Sequence, residues 1–207
     1  MCIHSLIPKH CTAPESMKQK QRGSSLIEVL VSLVLLAFGF LGIAGLFNYS
    51  VSTNKSTSSR LTAALLAQDY SELVRANAEG VRLGTSYNRD LDGGVFNPSR
   101  IKVEAIDTAK LCTYPACTPT TLATHDKEIF KNRIKALLPG GDFMATQVKD
   151  AAGNLTYEFD IWILWNEGKT VQDTSTTMDV CPPILANLAA SARPNPYPRC
   201  FYIRTAL

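Results

Sequence analysis

Between Leu26 and Phe47 the chain reads LIEVLVSLVLLAFGFLGIAGLF, and this run limits everything else the protein can be. A helix of about 22 residues is about 33 Å long, enough to cross the hydrocarbon core of a bilayer. A secretory signal needs only about 7 to 15 apolar residues before a small-residue cleavage site. The run is therefore too long for one, although Ser50-Val51-Ser52 could loosely serve as such a site. Lys18, Lys20 and Arg22 stand just ahead of it. By the positive-inside rule the N-terminus is cytoplasmic and the chain beyond about residue 48 is exported.

The rest of the composition agrees with one membrane segment and one domain in 207 residues. The formal net charge is +3, and it resides in the first 23 residues, where Lys9, Lys18, Lys20 and Arg22 face only Glu15. The remainder is neutral, so the basic character is a topology signal and indicates no nucleic-acid partner. A hydrophobic fraction of 45% excludes a disordered chain. With 12 Gly, 11 Pro and no short repeat, collagen-like, mucin-like and coiled-coil architectures are excluded as well.

Cys2 and Cys11 precede the apolar run, whereas Cys112, Cys117, Cys181 and Cys200 follow it. In an exported domain those four can form two disulfides, with three possible connectivities. Nearness in sequence favours Cys112 with Cys117 and Cys181 with Cys200. Zinc is disfavoured, since the exported part has neither C-x2-C nor H-x3-5-H spacing and its one histidine is His125. No metal or cofactor is expected.

Glu28 is the charge that an ordinary anchor would lack. It is third in the apolar run, with no other charge until Lys55. A carboxylate in a membrane segment costs up to several kcal/mol at mid-depth, roughly 2.5–3.5 on insertion scales, and calls for a partner. Arg22 is six residues away, off the i, i+3 and i, i+4 positions that meet on a helix. A cut after Gly23 would create an α-amino group on Ser24, one helical turn before Glu28 or within reach of the Glu28 of a neighbouring copy.

Lys18-Gln-Lys-Gln-Arg-Gly23 followed by Ser24-Ser-Leu-Ile-Glu28-Val-Leu-Val resembles the class III signal of type IV prepilins: a basic leader ending in Gly, then an apolar helix with Glu at its fifth position. The resemblance implies that a prepilin peptidase cuts after Gly23, that Ser24 becomes the methylated N-terminus, and that Glu28 is the charge used in assembly. Ser24 stands where the family usually has Phe or Met. Translation from Met17 would give MKQKQRG, a leader of the family's usual size, and Met17 is the expected start.

Beyond the run, residues 48–59 are rich in Ser and Thr, and Leu66, Tyr70, Leu73 and Val74 then share a helical face. A near-continuous helix from Ser24 to about Ala78 is expected, stopped at Gly80. Turns are expected at Asp92-Gly-Gly94 and Asn97-Pro98, and a short strand at Ile101–Ala105. A helix follows from Thr124 to Leu138, with Ile129, Phe130, Ile134, Leu137 and Leu138 apolar and Pro139-Gly-Gly141 as its stop. Strands are expected at Phe143–Lys149, Leu155–Trp165 and Cys200–Thr205, the first two joined around Ala152-Gly-Asn154. In Tyr157–Trp165 the residues Phe159, Ile161, Ile163 and Trp165 alternate onto one face, and Trp162 onto the other. Five of the 11 prolines lie between Cys181 and Cys200, which reads as an extended loop.

The fold class is therefore α+β and pilin-like: a leader at 1–23, a helix at 24–78 whose half at 24–47 spans the membrane, and a periplasmic antiparallel β head at 79–207. The patches Asp126–Phe130, Leu137–Gly141 and Tyr157–Trp165 further resemble the PilV-type minor pilins, also called type IV pilus modification proteins, with Phe130 in place of the usual Trp. That resemblance implies a role in assembling or initiating a type IV pilus. Its partners would be the prepilin peptidase, other major and minor pilins and the inner membrane, with the C-terminal disulfide region touching neighbouring heads.

No enzyme is legible. Gly168-Lys-Thr170 ends like a phosphate loop, but the first Gly of that motif would fall on Ile163. His125 is expected at an exposed helix start without a nucleophile motif, and no small-molecule substrate is implied. Two alternatives share parts of this reading: a pseudopilin of type II secretion, and an unprocessed bitopic periplasmic interaction protein.

Overall fold

In the computed structural model the described residues are 25–91, 94, 96, 105–167, 179–188, 194 and 197–207. Helix α1 runs from Leu26 to Ala76, 51 residues. Its first half is apolar on every side, and its second half becomes one-sided. Ala63, Leu66, Ala67, Tyr70, Ser71 and Val74 are buried there, and their spacing of three and four keeps them on one stripe.

The expected stop at Gly80 is corrected: α1 ends at Asn77, whose φ of −119° and ψ of 55° are not helical, and a short α2, Ala78–Arg82, begins there. The Asn77 side chain accepts from the Gly80 N–H at 3.1 Å and donates to the Pro119 carbonyl at 2.7 Å. A Cβ on Gly80 would stand 2.6 Å from Asn77 Nδ2 and 2.9 Å from Pro119 O. Glycine is required by this close approach, not by helix termination.

The chain divides into two compact units between Phe47 and Asn48. In the first, every described residue is exposed. The second has a three-stranded antiparallel sheet of order β1-β2-β3, with β1 Asp142–Lys149, β2 Leu155–Trp165 and β3 Arg199–Ala206. A long apolar helix followed by this sheet is the α+β, pilin-like layout.

Alternation along β2 divides the core. Phe159, Ile161, Ile163 and Trp165 join α1 on one face, and Trp162 and Leu164 join Leu91, Phe96, Leu185 and Cys200 on the other. At the centre of the first face Tyr70, Phe130 and Phe143 hold one another, with ring centroids 4.8 to 5.0 Å apart. Tyr70 donates to the Tyr87 carbonyl at 2.6 Å, and Tyr87 donates to Asp126 at 2.6 Å. Burial, and next the neighbouring Tyr87, push the Tyr70 hydroxyl well above the usual phenol range.

Helix α3 spans Pro119–Leu137, beginning before the expected Thr124. Thr118 Oγ1 accepts from the Thr121 N–H at 3.2 Å, and Thr121 Oγ1 accepts from the Thr118 N–H at 2.8 Å. This reciprocal cap, with Pro119 preset in the first turn, moves the start. The stop at Pro139-Gly140-Gly141 is found, Gly140 taking a φ of 63°. Phe130, Ile134 and Leu138 are buried, whereas Ile129 and Leu137 are 38% and 53% exposed, being about 100° round the helix from that stripe.

A 3-10 turn at Thr108–Lys110 is fastened to α3 through Glu128, whose carboxylate lies 3.6 Å from Lys110 and 3.2 Å from Lys131. Burial alone would raise the Glu128 carboxyl, but the hydrogen bond and charge of Lys131 and the charge of Lys110 outweigh it and hold the carboxyl below its ordinary value. A carboxyl lowered on folding stabilises the fold above its unfolded pKa, and that contribution is lost as the pH falls through the folded value. Glu128→Gln should therefore be less stable than the wild type at neutral pH. The gap should narrow below about pH 4.5; parallel melting curves from pH 7 to about pH 3 would contradict this.

Between the two C-terminal cysteines the expectation of a wholly extended loop needs correction. Pro183–Ala186 forms one helical turn, α4, started by its proline, with Leu185 buried. The turns at Asp92–Gly94 and Asn97-Pro98 and the strand at Ile101–Ala105 lie, except for Gly94 and Ala105, outside the described residues, as does Gly168-Lys-Thr170.

Candidate functional site

Glu28 sits in the first turn of α1, where the N–H groups of Glu28 and Val29 reach the Ser25 carbonyl at 2.9 and 3.3 Å. A carboxylate is favoured at this end of a helix because it faces unsatisfied N–H groups and the positive end of the dipole. One turn on, the Ser32 hydroxyl donates to the Glu28 carbonyl at 2.7 Å. Gly23 and Ser24, the expected cleavage and methylation residues, lie outside the described residues.

Downstream the helix presents bare hydrocarbon. Leu26 is 85% exposed and Leu46 72%, with Phe38, Phe40, Leu41 and Phe47 similarly open. Covering one Leu or Phe side chain is worth roughly 1.5–3 kcal/mol, so the run as a whole demands an apolar environment. By length and composition α1 can cross a membrane. Gly39, Gly42 and Gly45 fall at intervals of three, and a methyl group added at any of them meets nothing within 4 Å. Contacts among the described residues thus give no reason for these glycines.

The four cysteines of the second unit are bonded as Cys112–Cys117 and Cys181–Cys200. The first bridge closes a small exposed turn whose Tyr114 is 91% exposed. His125 lies inside α3, half-buried rather than at an exposed start, and its Nδ1 accepts from the Cys112 N–H at 3.3 Å. Its observed contact holds the turn in place. Among the described residues no group of three or more His, Cys, Asp or Glu side chains is arranged to hold a metal ion.

Sequence reasoning missed two charged groups of structural weight. Arg89 lies 2.7 Å from Asp142, stacks 4.3 Å over the Phe143 ring, and donates to the Phe143 carbonyl. Asp179 contacts Arg60 of α1 at 2.9 Å and accepts from the Cys200 N–H at 3.3 Å, tying the strand after the C-terminal bridge to the helix. Neither has a local signature, since each partner is distant in sequence.

The family model described as the prokaryotic N-terminal methylation motif matches residues 18–44. The match supports a type IV pilin-like protein. It spans the basic flank, Gly23, Glu28 and most of the exposed apolar run, and it fits membrane anchoring by this helix. Pilin-type proteins of this signature are structural, processed by prepilin peptidase and associated with pilus components. No curated protein and no solved structure matches the chain.

Proposed function

We propose that the chain is a minor pilin, of the PilV type, that is cleaved after Gly23 and takes part in assembling or initiating a type IV pilus. The observation that carries this reading is the methylation motif at residues 18–44 lying on a helix whose apolar side chains are uncovered. In this proposal residues 1–23 are a cytoplasmic leader, 24–78 the helix and 79–207 a periplasmic head. Before assembly the apolar run rests in the inner membrane. In the fibre it is covered by the helices of other pilins, and the methylated amine of Ser24 neutralises a Glu28 carboxylate. Transfer from lipid to a helix bundle keeps the hydrocarbon covered, and pairing removes the cost of a buried charge.

The mass of the chain recovered from sheared fibres tests this directly: it should lack residues 1–23 and carry one added methyl group. Recovery of the uncleaved mass would overturn it. Glu28→Ala should leave membrane insertion and cleavage intact while lowering incorporation about tenfold, the effect of about 1.4 kcal/mol. Equal incorporation would remove the charge-pairing step.

A further inference from the structure

The outer edge of β3 carries no further strand among the described residues. In the β2–β3 ladder the eight opposed pairs from Glu158↔Ala206 to Trp165↔Arg199 keep one register without a shift. The Leu207 N–H donates to the Tyr157 carbonyl at 2.9 Å, which marks this pair as hydrogen-bonded. Bonded and non-bonded pairs alternate along an antiparallel ladder. The N–H and C=O groups of residues 199, 201, 203 and 205 therefore turn toward β2, and those of 200, 202, 204 and 206 turn outward.

Two of the outward positions are engaged. The Cys200 N–H donates to Asp179, and the Ala206 carbonyl accepts from Arg75 at 3.3 Å. Between them, among the described residues, the main-chain groups of Tyr202 and Arg204 have no strand beside them. The opposite edge of the sheet is different: Arg89 pairs with Ala145 through two main-chain bonds, and Asn88 accepts from the Gln147 N–H at 2.8 Å. An open edge is ordinarily guarded by an outward charge, a proline or a bulge. Here residues 199–206 contain no proline and no register shift, and Arg204 is turned to Asp160, with bonds of 2.7 and 2.9 Å.

We infer that the Tyr202–Arg204 edge of β3 is a strand-addition site for an extended segment of a neighbouring pilin-type subunit. This rests on the function proposed above. The occupant's chemistry follows from the register. Two main-chain N–H and C=O pairs at alternate residues accept only an extended backbone. Ile203 and Phe201, partly buried at the rim of the core, call for an apolar side chain facing them. The capped positions at 200 and 206 limit the added strand to a short central stretch.

The test uses full-length protein expressed in cells that make fibres. Arg204→Pro removes the outward N–H without touching a main-chain bond to β2, and Arg204→Ala loses the same side-chain bonds to Asp160 but keeps the N–H. Arg204→Pro should enter sheared fibres about tenfold or more less than Arg204→Ala, since both lose the bonds to Asp160 and only the proline lacks the N–H. Equal entry of both variants, with wild type present in the fibre, overturns the edge site alone. Wild type absent from fibres overturns the minor-pilin reading as well. If Arg204→Pro does not fold, hydrogen–deuterium exchange of the wild-type Tyr202 and Arg204 amides, the two outward N–H groups between the engaged positions, decides. Fast exchange in the detergent-solubilised subunit and slow exchange in the fibre support the site. Slow exchange in the isolated subunit overturns it, because a segment of the same chain then covers the edge.

Discussion

Phe143→Ala should lower the stability of the second unit by about 3–5 kcal/mol, the usual cost of truncating a fully buried phenylalanine. Phe143 is fully buried, meets the rings of Tyr70 and Phe130, and carries Arg89 on its face. Its loss opens a cavity where α1, α3 and β1 converge, and it removes one surface on which the Arg89 guanidinium is held. Guanidinium titration of the full chain in detergent, followed by tryptophan fluorescence, measures this cleanly. The chain has 2 Trp, and both lie in β2, so the signal reports the sheet and not the membrane helix. A loss below about 1 kcal/mol would mean that the aromatic cluster is not the keystone of the core.

Opening the Cys181–Cys200 bridge by replacing both residues with alanine should cost about 3 kcal/mol in the chain-entropy model. The bridge spans 19 residues of sequence, against 5 for Cys112–Cys117. The larger loop gains more from closure. Cys200 is also buried beside Trp162 and Leu164, so its removal forfeits packing that the exposed Cys112–Cys117 turn does not have. The double variant at 112 and 117 should therefore be the milder of the two, and the reverse order of guanidinium midpoints would overturn the ranking.

Where periodicity carries the information, the fold is legible residue by residue. The alternation of Tyr157–Trp165 yields β2 with the bounds Leu155–Trp165, whereas β1 starts one residue earlier than expected and β3 extends one residue further at each end. The helical stripe from Leu66 to Val74 is also readable, because only one face of α1 meets the core there. Failures occur where a local rule is met by an unusual residue or by a distant one. Thr121 in place of an acidic residue hides the cap of α3, and Asn77 ends α1 through a bond to Pro119 that adjacent residues do not announce. Arg89–Asp142 and Arg60–Asp179 join charges far apart in the chain, beyond the reach of any pattern. Within the candidate site Glu28 is conspicuous in the sequence, because a carboxylate in hydrocarbon is costly wherever the chain folds.

The two flanks of the sheet differ, and that difference sets a valence. Since Asn88 and Arg89 already occupy the margin beside β1, main-chain recruitment has one docking berth among the described residues. With the strand addition inferred above, the sheet would accept a single strand at β3 and would not pass the same pattern on through the margin that Asn88 and Arg89 fill. In the fibre proposed above, repetition would then be carried by the rods, while this berth would make one pairwise, directional connection.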